Sequence, residues 1–161
     1  SSPHVKILPA EHPTLTMLFL DWGSKSAFPG QNLYMISKLG IVPVITWEPW
    51  DAKLHSSYQP SFTPRRIVAG AYDDYIHQFA RDIAIYQKPI FLRFAHEMNG
   101  NWYPWGSVGK NTPVEYKAMW RHVHDIFQQE PYFLLPPRQE HLVDICKREQ
   151  KTRNKKHLID S

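Results

Sequence analysis

The chain predicts an α/β fold, an incomplete (β/α) barrel of the TIM type with about three to four βα units. Three observations support this. Runs of strand length, rich in β-branched and apolar residues, alternate with segments of helical period. Each strand-like run ends in polar and aromatic residues, the end at which barrel enzymes place their active sites. The length of 161 residues falls short of the roughly 250 that eight units need. The expected division is a partial barrel over residues 1–130 and a divergent basic tail over 131–161.

The first strand is Thr14-Leu15-Thr16-Met17-Leu18-Phe19-Leu20, closed by Asp21-Trp22-Gly23, and a short helix over 32–39 carries Leu33, Ile36 and Leu39 at helical spacing before Gly40 stops it. The second strand is Ile41-Val42-Pro43-Val44-Ile45-Thr46, ended by Trp47-Glu48-Pro49. From Tyr72 to Tyr86 the apolar positions Tyr72, Ile76, Phe79, Ile83 and Tyr86 recur at three and four, and Lys88-Pro89 ends that helix. The mostly apolar segment 89–94 reads as a strand buried on both faces. Thr112-Pro113-Val114-Glu115 is a capping box with proline at the first helical position, followed by Tyr116, Trp120, Val123 and Phe127 as the apolar face.

The most informative run is Arg93-Phe94-Ala95-His96-Glu97-Met98-Asn99-Gly100-Asn101-Trp102-Tyr103-Pro104-Trp105-Gly106, where a strand ends in a carboxylate and enters an aromatic loop. A glutamate at the rim of an apolar, aromatic pocket has its pKa raised by desolvation and can protonate a leaving-group oxygen, so Glu97 is the candidate acid. Trp102, Tyr103 and Trp105 offer flat faces that match the C–H faces of pyranose rings, and His96, Asn99 and Arg93 can hydrogen-bond hydroxyls. Three strand ends would set Trp22, Trp47, Glu48, Glu97 and Trp102 around one rim.

This run resembles the glycoside hydrolases of family 26, which include endo-β-1,4-mannanases and mixed-linkage β-glucanases. The resemblance extends from the Thr14–Gly23 stretch, similar to the family's second strand, through the Gly40–Pro49 stretch, similar to its third, to about Glu130. It implies Glu97 as general acid/base at the end of the fourth strand, His96 and Trp102 as sugar contacts, a polysaccharide or oligosaccharide substrate, and a retaining mechanism. It also implies a nucleophile, a second glutamate on the seventh strand, which this sequence does not supply after Glu130. Glu48 and Asp51 are the local carboxylates, and the family gives neither that role. A catalytically weak or inactive carbohydrate-binding remnant is therefore the alternative. The break in pattern after Glu130 is what a premature or frame-shifted C-terminus would produce.

Other chemistries fit less well. His96-Glu97 would need a second histidine at position 100 to make a zinc-protease motif, and Gly100 stands there. His122 and His124 are two apart on a helix and face different ways, so no metal or other cofactor is expected. Cys146 is the single cysteine and forms no internal disulfide. From Pro131 onward seven basic residues stand against four acidic ones, so most of the net charge of +4 belongs to the tail. Such a run reads as a solvated end, and neither nucleic acid nor a membrane is expected as a partner. No apolar stretch is long enough to span a bilayer. A secreted or periplasmic origin is the expectation from the implied substrate alone, since no signal peptide is visible. Open barrel edges predict a homo-oligomer, or coverage of one edge by the tail.

Overall fold

The β-branched and apolar runs form three parallel strands in the order β1-β2-β3: β1 Leu15–Asp21, β2 Val42–Glu48 and β3 Phe91–Phe94. The computed structural model describes residues 14–130; the segment 1–13 and the basic tail, with the short helix expected near 141–147, lie outside the described residues. The strands are joined through α1 Gly30–Lys38, then α2 Pro64–Val68 and α3 Asp73–Tyr86, and β3 is followed by α4 Pro113–Gln129. In register, Asp21 lies opposite Glu48, and Trp47 opposite Phe94. The C-terminal strand ends are thereby level, so the segments that follow them emerge along one edge.

Alternation along the strands decides which face is packed. Leu18, Leu20, Ile45, Trp47, Leu92 and Phe94 pack with the helices. Trp47 is the hub of this layer, stacked on Phe79 of α3 at 4.4 Å and set against Trp22 at 4.7 Å and Phe127 of α4 at 6.1 Å. Leu15, Met17, Phe19 and Phe91 project from the other face and are exposed. Segment 89–94 was expected to be buried on both faces, and this is corrected: helices cover one side of β3, while Phe91 on the other is 60% exposed.

The capping box forms as expected. The Thr112 hydroxyl accepts from the Glu115 N–H at 3.3 Å, and the Glu115 carboxylate accepts from the Thr112 N–H at 2.8 Å. The buried stripe of α4 is Met119, Val123 and Ile126, with Tyr116 and Phe127 beside it, while Trp120 turns outward and stacks on His124. Polar ties lock the helices to one another. Tyr86 Oη of α3 donates to the Leu33 carbonyl of α1 (2.9 Å), His122 of α4 meets Asp73 of α3 (2.7 Å), and the buried Glu130 carboxylate takes His77 (2.7 Å) and Arg81 (3.1 Å). Arg65 of α2 pairs with Glu115 of α4. No helix among the described residues is long and apolar enough to cross a membrane.

Candidate active site

The chain leaves β3 through strained backbone. Ala95 and Glu97 have φ of +45° and +53°, in the left-handed region that side chains with a Cβ visit at a cost of about 1–3 kcal/mol each. Buried partners hold them there. The Ala95 N–H donates to the Trp47 carbonyl (3.1 Å), Tyr116 Oη donates to the Ala95 carbonyl (2.8 Å), and Trp105 Nε1 donates to the His96 carbonyl (2.7 Å). The result is a fixed turn that sends the Glu97 side chain into solvent beyond the strand end.

Trp102 lies beside it, 53% exposed, with its indole N–H donating to Glu97 Oε2 at 2.8 Å. The loop is shaped for this contact. A Cβ at Gly100 would come within 2.5 Å of the Trp102 ring and displace it, and one at Gly106 would strike the Gly100 backbone carbonyl oxygen, so the loop requires glycine at 106. The Asn111 amide nitrogen closes the loop from below, within hydrogen-bond reach of the carbonyls of Pro104, Gly106 and Val108.

Behind the rim, His96 is almost fully buried. Its ring meets Tyr103 edge-on at 4.9 Å and Phe19 at 6.4 Å, and among the described residues its Nδ1 has no hydrogen-bond partner. Its Nε2 is 3.8 Å from Glu48 Oε1. Burial, and then the positive charge of Arg93, lower the His96 pKa, while burial, aided by Asp21, raises that of Glu48 against hydrogen bonds from Trp50 and Tyr103. Both groups are pushed toward neutrality, so the contact is a polar neighbourhood and not a strong ion pair.

Some expected site residues take other places. Trp22, Trp47 and Trp105 were expected to offer faces to sugar; all three rings are at most 1% exposed and support the rim from within, and Trp105 stacks under Tyr103 at 4.3 Å. Enclosure of Glu97 in an apolar pocket was also expected, and among the described residues that carboxylate is exposed; the rim carboxyl that burial pushes up is Glu48. Arg93 lies on the open sheet face, donating to Thr46 Oγ1 (3.4 Å), and Asn99 is exposed in the loop. Trp50 was missed. Its Nε1 donates to Glu48 Oε2 at 3.4 Å and its ring meets Tyr103 edge-on at 5.0 Å, and the spacing Glu48-Pro49-Trp50, a carboxylate and an indole at a strand end, was the available signal.

The family model described as Glycosyl hydrolase family 26 matches residues 42–131, more than half of the chain and including β2, β3, α4 and the Glu97 loop. The chain belongs to glycosyl hydrolase family 26. Endoglucanase H of Acetivibrio thermocellus is 34% identical to it over 113 residues, which cover 68% of this chain and 11% of that protein. The chain thus spans about a ninth of that relative's length. Family 26 membership implies a TIM-like barrel, and the parallel β1-β2-β3 sheet with its helices on one face is α/β structure of that kind.

The raised Glu48 pKa has a testable consequence for this family 26 chain. A group whose pKa is raised by folding contributes stability that is full below its ordinary value of 4.5 and is lost as pH rises through its folded value. Glu48→Gln removes that loss. Its melting temperature relative to the unaltered protein is expected to improve as pH rises above the ordinary carboxylate value of 4.5 in parallel thermal melts. A difference that stays flat or runs the other way contradicts the burial of Glu48.

Proposed function

We propose that this chain forms part of the active edge of a retaining β-glycan hydrolase, with Glu97 as general acid/base and mixed-linkage β-glucan or β-mannan as substrate. The observation that carries this reading is the pairing of Glu97 with an exposed indole at the end of a parallel strand. The Glu97 carboxyl would protonate the glycosidic oxygen as a second carboxylate, supplied from outside the described residues, attacks the anomeric carbon and displaces the leaving group. As carboxylate it would then deprotonate the water that displaces that nucleophile and releases the sugar, while the Trp102 face holds a sugar ring alongside. The relative named Endoglucanase H makes β-glucan the first substrate to test. Reducing-sugar release from β-glucan and mannan, with Glu97→Gln as the control, is the assay.

One observation favours the second reading, a catalytically weak or inactive glycan-binding remnant. The other carboxylates at this edge are engaged locally: Asp21 accepts from the Gly23 N–H, Asp51 from the Lys53 N–H, and Glu48 from Trp50. Among the described residues, each of these three carboxylates is thus held by a group next to it in its own segment. The remnant binds oligosaccharide without releasing reducing ends, which the same assay separates.

The open sheet face also supports association. Leu15, Met17, Phe19 and Phe91 form an exposed apolar stripe, and β1 and β3 each keep an unpaired edge among the described residues. A dimer or larger assembly is expected in size-exclusion chromatography with light scattering at several concentrations; a monomer throughout argues against it.

A further inference from the structure

We propose that the loop over residues 51–62 supplies an additional glycan subsite, in which Tyr58 stacks on a hexopyranose ring distal to the bond served by Glu97. The proposal rests on the glycan-hydrolase reading of the same edge and extends it to a residue outside the Glu97 loop.

The loop leaves β2 at the edge where the Glu97 loop leaves β3. Its root is part of the rim, since the Trp50 carbonyl accepts the N–H groups of Trp22 (3.0 Å) and Gly23 (2.9 Å) while the Trp50 ring packs on Tyr103. From there the loop is closed by one buried amide. Gln59 Oε1 accepts from the Asp51 N–H at 2.8 Å, and Gln59 Nε2 donates to the carbonyls of Asp51 and Ser56, each at 2.8 Å. Asp51 caps the short turn Ala52–Leu54, and the Tyr58 N–H donates to Ser56 Oγ at 3.2 Å. Beyond Gln59, Phe62 is buried and stacks on Tyr72 at 5.3 Å, so the far end is pinned in the core.

This arrangement orders the backbone on both sides of Tyr58, yet the tyrosine ring is 64% exposed and gains little from folding. A rigid loop that presents an unburied aromatic at the C-terminal edge of a parallel sheet has the properties that sugar stacking requires: an amphipathic face, few side-chain torsions to freeze, and a fixed position. Leu54 is also exposed in this loop, between the exposed Lys53 and His55.

A distal subsite is felt only by ligands long enough to reach it. Titrations of the full chain with mixed-linkage gluco-oligosaccharides and manno-oligosaccharides, from disaccharide to hexasaccharide, should therefore show a length-dependent effect. Tyr58→Ala is expected to weaken binding of the longest ligands by about tenfold and leave the shortest unchanged, with Tyr58→Phe restoring affinity because the ring and not the hydroxyl does the stacking. Thermal melts should coincide for all three proteins. Equal affinities of Tyr58→Ala and the unaltered chain at every length, with Trp102→Ala still impaired, overturn the subsite and leave the reading of the Glu97 edge standing. Failure of the unaltered chain to bind any of these oligosaccharides overturns both.

Discussion

Replacing Glu97 with glutamine is expected to lower reducing-sugar release from β-glucan or mannan by about 10²- to 10⁴-fold, the range over which a positioned acid/base accelerates such a reaction. Glutamine keeps the size of the side chain and an oxygen for the Trp102 indole N–H, so the loop should hold its shape. It cannot release or carry the proton. Because Glu97 is exposed, its replacement should leave the melting temperature nearly unchanged, which separates lost chemistry from lost fold. Activity retained at the unaltered level in Glu97→Gln would remove the residue from the catalytic role.

The second large effect concerns the two indoles of the same loop. Trp105→Ala is expected to cost about 3–5 kcal/mol of folding free energy, because it empties a fully buried ring site and orphans the His96 carbonyl. A domain with about 5–15 kcal/mol of total stability would melt much earlier or fail to fold. Trp102→Ala should instead cost about 1 kcal/mol or less in stability, and weaken oligosaccharide binding by about 1–3 kcal/mol. Denaturant unfolding beside oligosaccharide titration checks both. Equal stability losses for the two substitutions would contradict the division into a supporting and a presented indole.

That division marks where the sequence stopped being legible. β1 and β2 were legible because their apolar runs end in Gly or Pro, and α4 because the Thr112/Glu115 capping box is a local chemical signal that needs no tertiary context. α2, Pro64–Val68, was missed, as five residues carry too little periodicity to stand out. Within the Glu97 loop, Trp102 and Trp105 are equally plausible platforms by composition. Their fates are decided by the turn through Gly100 and Gly106 and by the Asn111 amide beneath it, which send one ring outward and the other under Tyr103. On α4 the register differed by one position: Met119 took the core place expected for Trp120, because packing against α3 selects the Met119, Val123, Ile126 stripe.

The candidate site followed the same pattern. The place of Glu97 just past the end of β3 was legible from its motif, and its backbone strain was not, since a left-handed φ at a glutamate depends on partners as distant as Tyr116 and Trp47. Trp50 was overlooked because it lies outside the run that drew attention, and only the folded edge brings it beside Tyr103 of the loop after β3. The setting of Glu48 arises in the same way, since its burial and its hydrogen bonds from Trp50 and Tyr103 exist only in the folded chain.

The central claim is that the edge bearing Glu97 and Trp102 holds the glycan at the bond to be cleaved. A crystal structure of Glu97→Gln with a mixed-linkage gluco-oligosaccharide or mannohexaose bound tests it most directly. The account predicts a pyranose ring stacked on the Trp102 face and a glycosidic oxygen within hydrogen-bonding distance, about 2.6–3.2 Å, of the residue 97 side chain. An oligosaccharide bound only elsewhere on the chain, with the Trp102 face empty, would contradict it.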